Sequence, residues 1–297
     1  MKKRARILSM LAVFSAVLVF GFSGVSRAQV VQEYSVGSGQ GKVDWEEGYV
    51  YATAVGSANM AQMVNEVQAE SVARKTARHL ALAALNETVN KVSIDAYATY
   101  NMEMMADDIL KVETHGVLVN AHMFKEQFSF TGRGAPRAVV TVRIPIAGGL
   151  SRAVVPWAAR KAKENPQKIL APPKAPPVKP PPVERYTGLI IDTSGTGVRP
   201  TLVPRVLTID GKREVYGPAI ADQSKAMVMS YAGYRGTVKQ AKEGKRAGHN
   251  PLIVKAEKAF GTLGGDMAVS DEDAMKIIVA NAKDKFLEAC KVVIVVN

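Results

Sequence analysis

The feature that most constrains how this chain can fold is a run of prolines near its middle. Eight prolines lie within residues 166–182, with Lys174 and Lys179 interspersed among them. Proline has no backbone N–H to donate, so such a run favours an extended, semi-rigid spacer; serving as a ligand for an aromatic groove is its alternative use. We therefore predict two α+β domains joined by a Pro-rich linker, with a signal peptide at residues 1–28, domains at 29–160 and 185–297, and the linker at 161–184.

The first 28 residues have the three-part layout of a secretory signal peptide. A basic head, Lys2 to Arg6, precedes an uncharged run of about 16 residues, short of the roughly 20 that span a bilayer. Ser26-Arg27-Ala28 supplies small residues at the −3 and −1 positions of a cleavage site. The sequence predicts an exported protein that begins at Gln29, is periplasmic or associated with the outer membrane, and has no transmembrane span after cleavage. An uncleaved anchor is the alternative.

Charge narrows the choice of partners. The net charge of +12 falls to about +7 without the signal peptide, and residues 160–185 carry a local net charge of +5. No aromatic residues are interleaved with these charges, so nucleic acid is not expected as a partner of this exported chain; anionic envelope polymers or lipid headgroups fit better. Cys290 is the only cysteine, so no intramolecular disulfide can form, and we expect it to be buried on the last helix.

In the first domain, one strand and one long helix give the clearest patterns. Residues 49–56 form a β-rich run that ends at a glycine, and alanines then recur every fourth residue from Ala69 to Ala81. The small alanines allow this helix to lie close to a sheet. Its opposite face carries Arg74, Lys75 and Arg78, the candidate interaction face. Further strands are predicted at 92–94, 110–114, 117–124, 127–131 and 138–146.

The second domain has elements of the same class. Strands are predicted at 187–191, 252–260 and 292–296, the last of them central and covered on both faces, and Asp210-Gly211-Lys212 indicates a hairpin between 206–209 and 213–216. Helices are predicted near 219–231 and 238–246, and Ser270 is placed to cap the last helix. Both domains are thus predicted as helix on antiparallel sheet, and cleavage of the spacer is expected to release two folded halves.

The first domain also resembles a known family. The resemblance lies in Ala54-Val55-Gly56-Ser57-Ala58, in Ala-Arg-Lys-Thr-Ala-Arg at 73–78 leading into Leu-Ala-Leu-Ala-Ala-Leu at 80–85, in Gly116 to Ala121, and in Val139 to Ile146. Residues 49–146 are similar to the LPP-twenty lipoproteins and the N-terminal domain of flagellar assembly protein T. The resemblance implies a non-enzymatic envelope protein with a structural or assembly role, partnered by flagellar or outer-membrane components. The lipid-bearing cysteine of the lipoproteins is absent here.

No sequence motif predicts catalysis. Asp192-Thr193-Ser194 differs from the Asp-Thr-Gly of aspartic proteases, and no second copy supplies the partner carboxylate. His79, His115, His122 and His249 form no metal pair at helical spacing, and the methionine cluster at 102–105 suits packing better than copper. We therefore expect no enzyme activity, cofactor or metal, and protein partners of the envelope, with a homo-oligomer left open. A periplasmic small-ligand-binding protein or a hydrolase is the alternative, which a deep cleft with converging ionisable groups would favour.

Overall fold

The computed structural model describes residues 30–131, 134–172 and 185–297. The predicted signal peptide and the proline run from residue 173 onward lie outside these ranges. Within them, no helix combines the length and the apolar character needed to cross a bilayer. The α+β class and the two-domain arrangement predicted from the sequence are confirmed.

The first half is a five-stranded antiparallel sheet with a long helix on one face. The strand order is β1-β2-β3-β5-β4, and the helix α1 packs mainly on β3 and β5. The elements are β1 (Val31–Val36), β2 (Gly39–Asp44), β3 (Tyr49–Ser57), a 3-10 turn (Met60–Gln62), α1 (Glu66–Lys91), α2 (Tyr100–Ala106), α3 (Asp108–Val119), β4 (His122–Phe130), β5 (Pro136–Pro145), an irregular turn (Ile146–Leu150) and α4 (Ser151–Glu164).

The alanine stripe holds α1 against the sheet, as predicted. Ala69, Ala73, Ala77 and Ala81 are fully buried, and Asn65 caps the helix by accepting a hydrogen bond from the backbone N–H of Gln68. A side chain at Gly56 of β3 would overlap the backbone of Ala73 and Ala77. The glycine is therefore required where the helix crosses the strand.

The segment between α1 and β4 was predicted wrongly. Strands were expected at 110–114 and 117–124, but α3 occupies residues 108–119, and residues 92–94 contribute only an isolated bridge, from Ser93 to Thr99. Asp107 caps α3, and Leu110 and Thr114 are buried one helical turn apart. Because these buried contacts are tertiary, they override the β-propensity of the valines near the end of the helix.

The second half contains an eight-stranded sheet with the order β10-β13-β7-β11-β12-β8-β9-β6. Its elements are β6 (Lys168–Ile169), β7 (Gly188–Asp192), β8 (Val206–Thr208), β9 (Arg213–Tyr216), α5 (Gln223–Met229), β10 (Gly233–Arg235), α6 (Val238–Glu243), β11 (Pro251–Phe260), β12 (Asp266–Val269), α7 (Asp271–Asp284) and β13 (Val292–Val295). The predicted β8–β9 hairpin and the Ser270 cap are confirmed.

Strand pairing in this sheet is mixed rather than purely antiparallel. Strands β10, β13, β7 and β11 pair in parallel, whereas β12 is antiparallel to β11. Strand β13 lies between β10 and β7 with all four residues buried, as its uniformly apolar sequence predicted. Helices in the connections cover the faces of parallel strands, and this arrangement buries both faces.

Cys290 is buried as expected but does not lie on the last helix. α7 ends at Asp284 with Lys285 in the left-handed region, and Cys290 lies in the following turn with φ of 54°. Burial raises the pKa of its thiol. A buried thiol with a raised pKa is a poor nucleophile, so Cys290 acts as a core residue.

The two halves share one continuous hydrophobic core. The backbone N–H of Val203 donates to the carbonyl of Ile94 at 2.8 Å, and Trp45 packs edge-on against Tyr234 with ring centroids 5.4 Å apart. α4 extends four residues into the predicted linker, and β6 already pairs with β9 in the second sheet. We therefore no longer expect cleavage of the spacer to release two separate folded halves, because the two domains are tightly packed against each other.

Candidate functional site

The three basic residues predicted as an interaction face do not form one free surface. Arg74 is half-buried, forms ion pairs with Glu70 and with Glu126 of β4, and lies 5.3 Å from the ring centroid of Phe128. Lys75 and Arg78 are exposed on α1. Arg74 therefore links α1 to the edge strand β4. Of the predicted interaction face, Lys75 and Arg78 remain accessible to a partner.

An apolar ridge on α2 and α3 is exposed on the first half. We define the α2–α3 ridge as Met105, Ile109, Val112 and Val119. In α3, Ile109, Val112 and Val119 are 58%, 69% and 63% exposed. Their spacing of three and seven residues places them on one side of the helix, opposite the buried Leu110. An exposed apolar stripe of this kind is a candidate interaction site.

A cleft of about 380 Å³ lies where the two halves meet. The first half contributes Asp95 and Tyr97 from the loop after α1, Glu103 from α2, and Trp157 and Lys161 from α4. The second half contributes Arg205, just before β8, and Glu214 of β9, and Gln167 lies just before β6. The cleft thus gathers ionisable groups that are far apart in the sequence.

Two carboxylates in the cleft have raised pKa values. Burial raises the pKa of Glu214, and the backbone N–H of Ala219 and the charge of Arg205 only partly offset the rise. Burial also raises the pKa of Glu103, partly offset by Lys161, whose Nζ is 3.9 Å from its carboxylate. A positive charge added to this cleft would stabilise the ionised form of both carboxyl groups.

The positive charge of the Arg205 guanidinium is already paired with the carboxylate of Asp266. Its Nε and Nη2 both donate to Oδ2 of the fully buried Asp266, at 2.9 and 2.5 Å. Burial opposes the charge of Arg205, but the hydrogen bonds and charge of Asp266 outweigh it and raise the pKa of the guanidinium. Arg205 therefore contributes little positive charge to the cleft.

Two buried polar atoms beside the cleft lack hydrogen-bond partners among the described residues. They are Nε1 of Trp157 and Oε1 of Gln167. The Trp157 indole lies near enough to Glu103 to lower the pKa of that carboxyl in part, without forming a hydrogen bond of good geometry. Buried polar groups are normally hydrogen-bonded, so these two atoms, one donor and one acceptor, are candidates to contact a ligand in the cleft.

Asp192 and the four histidines lie outside the cleft. Asp192 ends β7, and its Oδ1 accepts hydrogen bonds from the backbone N–H and the hydroxyl of Ser194, as in a local turn. All four histidines are exposed. Across residues 30–131, 134–172 and 185–297, no three histidine, cysteine or acidic side chains could hold a metal ion together.

Sequence reasoning missed the cleft. Its acids come from a loop, a short helix and a hairpin strand, and no spacing in the chain connects them. The only local signal is Glu214, an acidic residue beside the buried Val215 and Tyr216 in a strand. An acidic residue next to buried apolar residues indicates a buried polar contact without identifying its partners.

The second half is similar to a known family. Residues 188–297, from β7 to the last residue, match the family model of the second domain of Treponema pallidum Tp0624. No curated protein matches the chain significantly.

Proposed function

We propose that this chain is an exported, non-enzymatic protein of the cell envelope with a structural or assembly role. The signal-peptide pattern supports export to the periplasm or the outer membrane, and the resemblance of residues 49–146 to LPP-twenty proteins supports an envelope role. The observation that carries the proposal is the exposed α2–α3 ridge. Association with the flagellar basal body or the outer membrane is the narrower form of this proposal.

The ridge is suited to packing against a second copy of itself. Ile109, Val112, Gly116 and Val119 are spaced symmetrically about residue 114. In an antiparallel pair of α3 helices, Ile109 would oppose Val119 of the second copy, and Val112 would oppose Gly116. An added side-chain atom at Gly116 meets nothing within 4 Å, so the space above it is open to a large residue. Large residues opposite small ones allow close helix packing.

The test is the oligomeric state of residues 29–297. Light scattering and sedimentation should show a dimer for the wild type, and Ile109→Glu with Val112→Glu should give a folded monomer, because charges would be buried in the contact. Val228→Glu is the matched control, since Val228 is equally exposed but lies on α5. A monomeric wild type, or ridge variants that still dimerise, would refute assembly through the ridge.

Cysteine cross-linking checks the direction of packing. Val112→Cys and Gly116→Cys chains, mixed, should form a disulfide between copies faster than either variant alone, because the two positions face each other only in the antiparallel pair. The native Cys290 is buried and does not compete. Equal cross-linking in all three samples would contradict the antiparallel arrangement.

A small-ligand-binding role is the second candidate. The specific observation in its favour is the interdomain cleft, with its carboxylates of raised pKa.

A further inference from the structure

The cleft carries an excess of negative charge on a basic protein. Asp95, Glu103 and Glu214 line it, and Lys161 is the cation that faces them, since Arg205 is bound to Asp266. The whole chain has a net charge of +12. Carboxylates concentrated in this one recess would attract a cation and repel an anion.

The cleft also holds buried polar groups that the protein itself leaves unsatisfied. Glu214 is only 3% exposed, and its Oε1 accepts one hydrogen bond, from the backbone N–H of Ala219 at 3.2 Å. Among the described residues, Oε1 of Gln167 accepts no hydrogen bond, and Nε1 of Trp157, a side chain 3% exposed, has no acceptor. An unpaired buried acceptor is costly, so a ligand that donates hydrogen bonds to Glu214 and Gln167 would be stabilised in this cleft. An ammonium group satisfies these acceptors but not the indole N–H of Trp157.

We propose that the interdomain cleft binds a small organic ammonium compound. Its ammonium group donates to the carboxylate of Glu214 and the amide oxygen of Gln167, and its carbon chain lies beside the aromatic rings of Trp157 and Tyr97. The volume of about 380 Å³ is within the range of small-molecule sites. The inference is independent of the proposed assembly through the ridge, because the cleft and the ridge share no residue.

The charge and the chemical nature of the cleft groups distinguish between ligand classes. A divalent metal needs several ligands around one point, and no such set occurs in the described part of the chain. A carboxylate or phosphate compound would meet Glu103 and Glu214. An ammonium on a carbon chain matches both the acceptors and the apolar walls.

Fluorescence of Trp157 provides a direct readout. The chain has two tryptophans, and Trp45 packs on Tyr234 away from the cleft lining. In a Trp45→Phe background, titration with 1,4-diaminobutane should change the Trp157 emission saturably. Neutral 1,4-butanediol and anionic succinate, at the same concentrations and ionic strength, should not.

The diamine affinities of substituted chains then test which residues form the binding site. Glu214→Gln and Glu103→Gln should each weaken diamine binding at least tenfold in calorimetry, while Asp271→Asn, an exposed acid on α7, should leave it unchanged. Circular dichroism verifies that each variant is folded. No binding of the diamine, equal binding of the diol, or unchanged affinity of Glu214→Gln would overturn the proposal. These results are distinguishable from failure of the ridge proposal, which is measured by oligomeric state.

Discussion

The backbone of Ala77 lies against Gly56, so closely that a side chain at Gly56 would overlap the Ala77 nitrogen. This contact fixes the distance between α1 and the first sheet. Gly56→Ala should destabilise the protein by about 1–3 kcal/mol, because either the helix or the strand must move. Urea unfolding measures the change.

A matched glycine checks that contact. At Gly37, an added side-chain atom would lie 3.5 Å from Glu87, an ordinary distance. Gly37→Ala should change stability by less than about 0.5 kcal/mol. Ala73→Leu and Ala77→Leu should resemble Gly56→Ala, at roughly 1–3 kcal/mol each. Equal effects at Gly37 and Gly56 would contradict the close approach of α1 to β3.

Arg74 and Lys75, adjacent on α1, should respond differently to charge reversal. Arg74→Glu places a third carboxylate beside Glu70 and Glu126, and we expect a loss of about 1 kcal/mol. Lys75→Glu, on the exposed face, should stay within about 0.5 kcal/mol. Thermal unfolding at low salt compares them; a Lys75→Glu loss as large as that of Arg74→Glu would count against the assigned faces.

Glu214 should make stability depend on pH. Its pKa is raised in the folded state, so the folded chain holds the proton more tightly than the unfolded chain, and stability decreases as the pH rises above the ordinary glutamate value. Glu214→Gln keeps an acceptor for Ala219 and removes the charge. It should be more stable than wild type at neutral pH, by about 1.4 kcal/mol for each pKa unit of the difference.

Unfolding midpoints between about pH 4.5 and pH 8 test this sign. The wild type should lose stability across this range relative to Glu214→Gln. Glu257→Gln, at an exposed position of β11, is the control and should follow the wild type. A Glu214→Gln variant that is less stable at neutral pH would show that the buried carboxylate is stabilising.

Cutting the chain within residues 173–184 should leave the two halves bound together. They share one core, and the Val203–Ile94 hydrogen bond and the Trp45–Tyr234 contact cross between them. A protease site introduced in this segment allows the test. After cleavage, two bands on a denaturing gel should elute as one species under native conditions; elution of two separate folded fragments would disprove the shared core.

The mature protein should begin at Gln29 and be found outside the cytoplasm. The basis is the basic head, the short apolar run and Ser26-Arg27-Ala28. N-terminal sequencing of protein from envelope fractions is the measurement. Retention of Met1 in the membrane pellet would instead indicate the uncleaved anchor.

Local patterns in the sequence were sufficient for several elements. The alanine repeat from Ala69 to Ala81, the Ser270 cap, the β8–β9 hairpin and the buried strand β13 each depend on residues that are close in the chain. Helical period, capping and turn chemistry act over a few residues, so they can be read without the fold. The same holds for the α+β class.

Only the tertiary structure decided the rest. Residues 108–119 are helical because Leu110 and Thr114 are buried against other elements, although their sequence also suits a strand. Arg74 is half-buried because β4 brings Glu126 to it, 52 positions along the chain. Glu103 and Glu214 line the same cleft only because the two domains pack against each other. Charges and hydrogen-bonding groups interact through space, so their partners are set by packing that no local pattern encodes.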